Sequence, residues 1–381
     1  MSRVGTPPRR ALIVGAGIGG LAAGVTLAST GWTVEVVEIK AVNATVGVGL
    51  NHPANALRAL RALGVYDEVL AHGYQYRGIR RYDSEGRLTA EFTPVDPPDV
   101  PFQVSMTRAD LHRILTEAAE RAGATVRLGT TWESIEDDGV GVDVTFTDGS
   151  TARYDLVVGA DGIRSPLRNL MFGNDHDPVP TGYACWRVAV DRCPDMVLSE
   201  YWNGSLVKAS VLHLNEKTMY LLVVEEGDWD AVPDPATMIL TLKDKLVGFG
   251  GLVGRARDAI TADSEIHWAP LQEVFLPAPW HKGNIVLIGD AAHAVAPHLA
   301  QGAAMAMEDA IVLADELLGQ GVQDALASFM QRRYRRVKYV QDQAHAILQN
   351  EMESDIARKA AFAAGLGDRQ TEITRLLADA P

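Results

Sequence analysis

Residues 11–20 read Ala11-Leu12-Ile13-Val14-Gly15-Ala16-Gly17-Ile18-Gly19-Gly20. Four apolar residues in a row are typical of a strand that is buried on both faces of a parallel sheet. In the G-x-G-x-x-G spacing that follows, Gly15 permits a tight turn, Gly17 lets the backbone approach a pyrophosphate, and Gly20 lets a helix pack closely on the strand. The stretch predicts a β-α-β unit that binds a dinucleotide, with its phosphates at the N-terminus of a helix beginning near Ile18.

The next strand supports this interpretation and limits which dinucleotide can bind. Val34–Glu38 is predicted to be the second strand, and it ends in an acid that can accept hydrogen bonds from ribose hydroxyls. An acid disfavours a 2′-phosphate, so the predicted dinucleotide is FAD or NAD rather than NADP. No residue from Ala11 to Ala28 is charged, which is also typical of a signal peptide or membrane helix. The five glycines of this stretch favour the strand-turn-helix instead.

Two later motifs also follow apolar strand-like runs. Gly159-Ala160-Asp161-Gly162 follows Leu156-Val157-Val158, and Gly289-Asp290 follows the run that ends at Ile288. Asp290 can accept bonds from a polyol such as a ribityl chain. Small residues then open a helix predicted over Gln301–Leu318, where a flat ring can approach the free N–H groups and the dipole favours a reduced flavin. Together, the three motifs indicate an FAD enzyme that uses a second substrate and oxygen.

The composition is that of a folded protein with an acidic surface. The chain has 381 residues, 47% hydrophobic and 22% charged, with a formal net charge of −14. This length allows two domains or one large interleaved unit. The negative charge argues against nucleic acid or an anionic membrane as a partner. We interpret the basic cluster Arg332, Arg333, Arg335 and Arg336 as a solvated helix face.

The cysteine content bears on metals and on location. Cys185 and Cys193 are the two cysteines, and no CxxC or HExxH pattern is present. We therefore expect no metal site and a reducing, cytoplasmic location. We also expect no membrane span, and a monomer or homodimer.

The chain changes character between about Gly182 and Phe275, where strand patterns predominate and one helix is predicted over Ala236–Val247. The parallel-sheet pattern resumes at Asn284–Ile288. The predicted fold class is α/β, a Rossmann-like FAD-binding domain with an inserted antiparallel β-sheet substrate domain. The predicted boundaries are 1–75, 102–181 and 278–381 for the FAD-binding domain with its C-terminal helices, and 76–101 and 182–277 for the substrate domain.

On these three motifs the chain resembles the group A, single-component flavoprotein monooxygenases, the family of p-hydroxybenzoate and salicylate hydroxylases. The chain resembles compact members such as 6-hydroxynicotinate 3-monooxygenase and FAD-dependent urate hydroxylase. The resemblance covers about residues 10–340. It implies reduction of FAD by NADH or NADPH, a flavin C4a-hydroperoxide, and hydroxylation of an aromatic or N-heteroaromatic ring by O2, with or without decarboxylation.

The motifs and the resemblance together assign positions to the cofactor. Arg108 matches a family arginine near the pyrophosphate and flavin, Asp161 matches the acid of the DG motif, and Gly47–Asn51 match the loop that lines the isoalloxazine. Ala300 stands where many relatives have glycine, Ala304 stands where many have asparagine, and Asn51 stands where the hydroxynicotinate enzyme has histidine. The residues expected to contact FAD are Gly15, Ala16, Gly17, Ile18, Gly19, Gly20, Glu38, Gly49, Leu50, Asn51, Arg108, Trp132, Asp161, Asp290, Pro297, Gly302, Ala303 and Ala304.

The catalytic residues are less sharply indicated, because the oxidising power would belong to the flavin. The protein needs to position a ring, activate its hydroxyl and exclude water. His298, His52 and His213 are the candidate bases, each with a satisfied interior or loop histidine as the alternative. Arg187 is a candidate for binding a substrate carboxylate or anionic ring, with a packed arginine as the alternative. Trp202 and Tyr220 are candidates for an aromatic pocket.

Two other functions stay open at this point. One is a flavin epoxidase or a natural-product- or drug-modifying monooxygenase of the same fold. The other is a non-catalytic flavin sensor, against which the Asp161 and Asp290 motifs argue.

Overall fold

Two large β-sheets organise the part of the chain that the computed structural model describes, which is residues 8–42, 48–204, 207–227, 232–352, 358, 372–373 and 375–381. One sheet has six strands and is mostly parallel, and the other has seven strands and is mostly antiparallel. The α/β class with a β-sheet insertion is thereby confirmed. The domain boundaries given above remain predictions.

The six-stranded sheet brings the three motifs together. In spatial order its strands are β18 (His281–Lys282), β19 (Ile285–Leu287), β12 (Leu156–Gly159), β1 (Arg10–Val14), β2 (Thr33–Glu38) and β8 (Thr125–Leu128). The strands β19, β12 and β1 are parallel neighbours, and each is followed by one of the three glycine-containing motifs. Because the carboxyl ends of parallel strands meet at one edge of a sheet, the motifs emerge side by side.

Helices cover this sheet and build the main hydrophobic core with it. The described helices are α1 (Ile18–Ser29), α2 (Ala54–Ala62), α3 (Tyr66–His72), α4 (Arg108–Ala122), α5 (Pro166–Phe172), α6 (Met238–Lys245), α7 (Gly251–Ala259), α8 (Asp290–His293), α9 (Gly302–Glu316) and α10 (Val322–Met352). The predicted helices over Gln301–Leu318 and Ala236–Val247 correspond to α9 and α6. A Cβ on Gly19 would lie 3.2 Å from the Ala306 Cβ, so α1 packs closely on α9. In the described residues, no helix is long and apolar enough to span a membrane.

The seven-stranded sheet has two chemically different faces. In spatial order its strands are β17 (Ile266–Glu273), β13 (Val179–Asp191), β16 (Thr218–Glu226), β15 (Val207–His213), β14 (Ser199–Asn203), β5 (Ile79–Tyr82) and β6 (Leu88–Phe92). One face, with Trp186 and Val211, packs in a core beneath α6 and α7. The other face carries the cluster of Leu212, Leu214 and Tyr220. We call this second face the open face of the substrate sheet.

Two three-stranded sheets complete the described strands. They are β11 (Thr151–Tyr154), β10 (Val142–Phe146) and β9 (Trp132–Asp137), and β3 (Gly49–Pro53), β7 (Gln103–Thr107) and β4 (Tyr74–Gln75). The sequence predicts a loop at Gly47–Asn51, but Gly49–Asn51 belong to β3, while Gly47 lies outside the described residues. Pairing with the buried residues Val104 and Met106 of β7 outweighs the poor strand propensity of this glycine- and asparagine-containing segment.

Candidate active site

In the glycine turn after β1, Gly15 and Gly20 pack tightly against protein atoms, whereas Gly17, at the N-terminus of α1, has free space beside it. Gly15 has a φ of 104°, and its N–H donates to the Val37 carbonyl at 2.8 Å. A Cβ on Gly15 would lie 2.5 Å from the Ala160 carbonyl oxygen, and one on Gly20 would collide with the Gly15 carbonyl oxygen. A Cβ on Gly17, by contrast, would meet no heavy atom within 4 Å. The backbone is therefore accessible at the position where a pyrophosphate would approach.

Glu38 ends β2 with its carboxylate fixed by two backbone N–H groups. The Ala16 N–H donates to Oε2 at 3.0 Å, and the Lys40 N–H donates to Oε1 at 3.0 Å. Each oxygen retains a lone pair that can accept a bond from a hydroxyl. The Thr130 N–H donates to the Glu38 carbonyl at 3.0 Å, so the segment that leads to the half-buried Trp132 runs beside the end of β2.

The second motif lies directly against the first. A Cβ on Gly15 would be 3.1 Å from the Asp161 Cα. Asp161 Oδ2 accepts a bond from the Leu167 N–H at 3.0 Å, whereas Oδ1 is buried without a hydrogen-bond partner among the described residues. Burial raises the pKa of this carboxyl. A buried oxygen without a partner, such as Asp161 Oδ1, can accept a hydrogen bond from a bound ligand.

The third motif places a carboxylate beside the start of α9. Gly289 has φ 57° and ψ −142°, a conformation that favours glycine. Asp290 Oδ1 is 4.0 Å from the position that a Cβ on Gly302 would take. The Asp290 side chain is accessible to solvent, yet the surrounding protein raises its pKa by desolvation, against opposing effects of His293 and Arg108. The first turn of α9 has no acidic residue, so its N–H groups can serve an anionic or carbonyl group.

The segment before α9 is a 3-10 turn over Pro297–Leu299. Pro297 is exposed and His298 is half-buried. Ala300 follows with a φ of 54°, and it is the one described residue other than glycine with a positive φ. In the first turn of α9, Ala303 is half-buried and Ala304 is buried.

A basic and aromatic group faces the third motif. Arg108 begins α4, while Arg187 and Tyr220 belong to β13 and β16. Burial lowers the pKa of Arg108, as does Arg187, and Asp290 opposes them. Burial also opposes the charge of Arg187, but the Cys185 thiol and the Tyr220 hydroxyl outweigh it and raise the pKa of that arginine.

The strand β3 closes this group from the other side. A Cβ on Gly49 would collide with Leu214 and lie 3.4 Å from the Tyr220 ring, so Gly49 touches the open face of the substrate sheet. Asn51 lies on the same side of β3 as Gly49, and its Oδ1 accepts a bond from the Ser105 hydroxyl at 2.7 Å. Leu50 points to the other side and packs on the main core.

His52 also points away from Tyr220, because it is an odd number of residues from Gly49 along the strand. It is fully buried, and neither ring nitrogen has a hydrogen-bond partner among the described residues. Burial lowers its pKa from 6.5 to about 4. His52 is therefore a neutral imidazole inside the protein at pH 7.

His213 lies on the face of the substrate sheet that α6 and α7 cover, in register with Met219 of that core. Its ring stacks on Tyr74 with centroids 4.1 Å apart, and its Nε2 lies 3.3 Å from the Met196 carbonyl. Burial lowers its pKa to about 4. Trp202 stacks on Tyr82 within the same core. Of the three candidate bases, His298 lies nearest in sequence to the start of α9, and the catalytic roles of all three remain predictions.

The arginine cluster on α10 is not a solvated face, so that interpretation was wrong. Arg333 is 0% exposed and pairs with Glu308 and Asp309 of α9. Arg335 is exposed, whereas Arg332 and Arg336 are half-buried. The prediction failed because the partners are far away in sequence. Their signal was present, since Glu308 and Asp309 are adjacent acids within the otherwise apolar stretch 302–314 of α9, and buried acids require cationic partners.

The described residues fit a bound FAD. An accessible glycine turn, the fixed acid Glu38, the orphaned oxygen of Asp161, and Asp290 beside a free helix N-terminus are contiguous along one sheet edge. These groups match, in order, a pyrophosphate, a ribose, a hydrogen-bond donor of the cofactor, and a polyol with a polar flat ring.

Comparisons with known proteins agree with this fit. The family model described as "FAD binding domain" matches residues 9–175 and 257–344. The chain is 32% identical over 350 residues to YetM of Bacillus subtilis (strain 168), whose name describes an FAD-dependent monooxygenase, covering 90% of this chain and 94% of YetM. It is 28% identical to the 6-hydroxynicotinate 3-monooxygenase of Bordetella bronchiseptica, covering 88% of this chain and 90% of that protein.

Among solved structures, the complex of Klebsiella pneumoniae HpxO with FAD and uric acid superimposes with a TM-score of 0.87 at 24% identity, covering 98% of this chain and 97% of HpxO. This likeness supports the fold. The family match and the sequence relatives confirm the resemblance to single-component flavoprotein monooxygenases. The chain belongs to the FAD-binding-domain family, and it is an FAD-dependent monooxygenase of the aromatic hydroxylase type.

Proposed function

We propose that this enzyme uses NADH or NADPH and O2 to hydroxylate an aromatic or N-heteroaromatic ring that carries an acidic hydroxyl or a carboxylate. The observation that supports it is the Arg187–Tyr220 pair on the open face of the substrate sheet, opposite Arg108. FAD, when bound and reduced by the nicotinamide, would supply activated oxygen. In this proposal Gly15–Gly20, Glu38 and Trp132 hold its ADP half. Asp161, Asp290, Arg108, β3 and the Pro297–Ala304 segment hold the rest.

Local charge favours an anionic substrate. In the described part of the chain, neither Arg108 nor Arg187 forms an ion pair with a carboxylate. Asp290 is the one described carboxylate that raises the pKa of Arg108, and no described carboxylate is among the groups that act on the pKa of Arg187. Two half-buried guanidinium groups therefore lack full compensation, and a substrate anion would provide it.

Tyr220 can add a directional hydrogen bond to the attraction of these two arginines. Burial raises the pKa of its hydroxyl, so the group stays protonated at neutral pH and can donate a hydrogen bond. Arg187 interacts with the same hydroxyl and can fix the direction of its proton. A ring oxygen that accepts from Tyr220 and faces Arg187 is stabilised as an anion, which makes the ring carbons ortho and para to it more nucleophilic.

The neighbouring surface is apolar and suits the face of a ring. Leu212 and Leu214 flank Tyr220, with Leu222 and Val48 packed against them. Leu214 also contacts the flavin-side strand β3 at Gly49. This wall excludes water from one side of the region between Arg187 and Asp290.

The direct test measures NADH and NADPH oxidation by the FAD-loaded protein with hydroxylated aromatic and N-heteroaromatic acids, together with their neutral methyl ethers and esters. Hydroxylated product and hydrogen peroxide are quantified together, and released CO2 reports decarboxylation. We expect an acidic compound to stimulate oxidation with matching product, and its neutral counterpart to do so far less. Equal stimulation by both members of each pair would contradict the proposal.

Replacing Arg187 tests the anion-binding role. Arg187→Met should raise KM for the acidic substrate by about 10- to 100-fold, the value of a hydrogen bond to a charged group. Arg80→Met is the matched control, because Arg80 pairs with Glu91 at the other end of the same sheet. An unchanged KM in Arg187→Met, with normal FAD content, would refute the assignment.

A further inference from the structure

A buried polar network connects α10 to both elements that flank the predicted flavin ring. At its centre is Arg333, whose guanidinium bonds to Asp309 through Nε at 2.8 Å and to Glu308 through a terminal nitrogen at 2.7 Å. Its other terminal nitrogen donates to the Met305 carbonyl at 3.2 Å. Arg333, Glu308 and Asp309 are each at most 1% exposed, so the network lies wholly inside the protein.

One arm of the network reaches the turn that carries Asp290. Asp309 Oδ1 takes the bond from Arg333, while Oδ2 accepts the Gly289 N–H at 2.9 Å and lies 2.7 Å from His293 Nε2. Gly289 and His293 flank Asp290 in the chain. Arg333 thus orients the carboxylate that holds the Gly289 backbone on one side of Asp290 and the His293 side chain on the other.

The other arm reaches the N-terminus of α9. Glu308 Oε1 accepts from Asn55 Nδ2 at 3.0 Å. Asn55 and Gln301 then exchange two amide hydrogen bonds, of 2.9 and 3.1 Å. Gln301 occupies the N-cap position of α9, and its buried side chain bonds to Asn55 rather than to the helix N–H groups. The Asn55–Gln301 pair therefore fixes the position of the N-cap residue at the start of α9.

The acids and the arginines of this network balance each other in charge, which keeps the network in one fixed arrangement. Glu308 also receives two bonds from Arg336, so two acids face two arginines. Burial opposes the charge of Glu308, but Arg333 and Arg336 outweigh it and hold the pKa of Glu308 below its usual value. Asp309 likewise has a lowered pKa, against burial, because of His293 and Arg333. A guanidinium suits the centre because its planar fork can bond several acceptors at once.

We propose that Arg333 is a positioning residue for the flavin, which sets the Asp290 turn through Asp309 and the α9 N-terminus through Glu308, Asn55 and Gln301. The two arms would hold the groups beside the polyol and beside the ring in one fixed relation. The last helix before the C-terminal segment would thereby influence cofactor affinity and flavin electronics without touching the cofactor.

The test compares Arg333→Lys with Arg335→Lys, a matched control two residues away on the exposed side of α10. Lysine keeps the charge but has a single nitrogen, so it cannot serve Asp309, Glu308 and Met305 with the same geometry. The readouts are the FAD dissociation constant of the apo-protein by fluorescence titration, the visible absorption bands and reduction potential of bound FAD, and the thermal midpoint of the apo-protein. Outer-shell partners of bound metals are worth about 10- to 100-fold in affinity, and we expect a loss of that order with shifted bands.

A merely structural role would lower the thermal midpoint of Arg333→Lys and leave FAD affinity, bands and potential as in the wild type; that result would overturn the proposal. If Arg333→Lys does not fold, Asn55→Leu decides, because it breaks the second arm and leaves the four charges in place. We expect Asn55→Leu to weaken FAD binding and shift the bands, and wild-type affinity with an unchanged spectrum would refute the role of that arm.

Discussion

The buried imidazole of His52 makes the stability of this enzyme depend on pH between about 4 and 6.5. Its folded pKa of about 4 lies below the value of 6.5 for an unperturbed histidine. Between these values the unfolded chain binds the proton and the folded chain does not. The stabilising contribution of neutral His52 is therefore complete above pH 6.5, and it is lost as the pH falls towards 4.

The size of the effect follows from the two pKa values. Proton linkage for a group that shifts from 6.5 to about 4 gives a loss of about 2 kcal/mol between pH 7.5 and pH 5. Glu308 and Asp309 have lowered pKa values, so their contribution is present above their unfolded pKa values of 4.5 and 3.8 and is lost mainly at more acidic pH. Burial raises the pKa values of Asp161 and Asp290, but these acids contribute alike in the wild type and in a His52 variant, so the difference between the two proteins reports on His52.

The assay is urea unfolding of the apo-protein at pH 7.5 and at pH 5, monitored by tryptophan fluorescence, for the wild type and His52→Leu. His213 also has a lowered pKa and contributes in both proteins, so its effect cancels in the difference. We expect the free energy of unfolding to fall between the two pH values by about 2 kcal/mol less in His52→Leu than in the wild type. His72→Leu is the control, because His72 is exposed on α3.

Two results would refute this reasoning. The first is a pH dependence of His52→Leu equal to that of the wild type, which would mean that His52 is protonated inside the folded protein or has a partner there. The second is an equal loss of pH dependence in His72→Leu, which would assign the effect to surface charge.

Two further substitutions test the backbone of the cofactor site. Ala300→Gly should raise the free energy of unfolding by up to about 1 kcal/mol. The left-handed conformation of Ala300 costs about 1–2 kcal/mol, and the added flexibility of glycine in the unfolded chain offsets part of the gain. A lower thermal midpoint would show that the Ala300 methyl group makes a stabilising contact. Gly17→Val should leave the apo-protein folded, since a Cβ at Gly17 meets no atom within 4 Å, but it should abolish FAD binding in a fluorescence titration. Undiminished FAD affinity in Gly17→Val would place the pyrophosphate elsewhere.

The local features of the fold could be predicted because they depend on neighbours in sequence. The alternation of an apolar run, a glycine turn and a helical repeat is complete within residues 10–29, and β1 and α1 occupy Arg10–Val14 and Ile18–Ser29. The same holds for the helix over Gly302–Glu316. Each of these elements has a hydrophobic period that matches its final environment.

The faces of the substrate sheet could not be assigned from sequence. Alternation along the strand places His213 on one face with Val207, Ala209 and Val211, and those three residues are buried in a core. It could not tell that α6 and α7 cover that face, while Tyr220 and Arg187 point to the other. Which side of a sheet meets the cofactor is decided by packing between segments far apart in the chain.

The arginine cluster failed for a related reason. A run of arginines has the same composition whether it meets water or two buried acids on another helix. Only the contact of α10 with α9 distinguishes these cases, and it puts Arg333 out of the solvent. The acids of α9, rather than the arginines of α10, were the sequence feature that could have predicted a buried ion pair.

The strand order of the six-stranded sheet also determines when the enzyme can acquire its cofactor during synthesis. The first strand, β1, lies beside β12, and β12 lies beside β19, so the three adjacent strands come from the beginning, the middle and the last third of the chain. The glycine turn leaves the ribosome early, but the Asp290 turn and α9 follow only after the whole substrate sheet has been made. Closing such distant segments is slow because the loop entropy is lost before the strand contacts form. A nascent chain that stops before β19 leaves the edge of β12 unpaired, and an unpaired strand edge favours aggregation until the last third of the chain is complete.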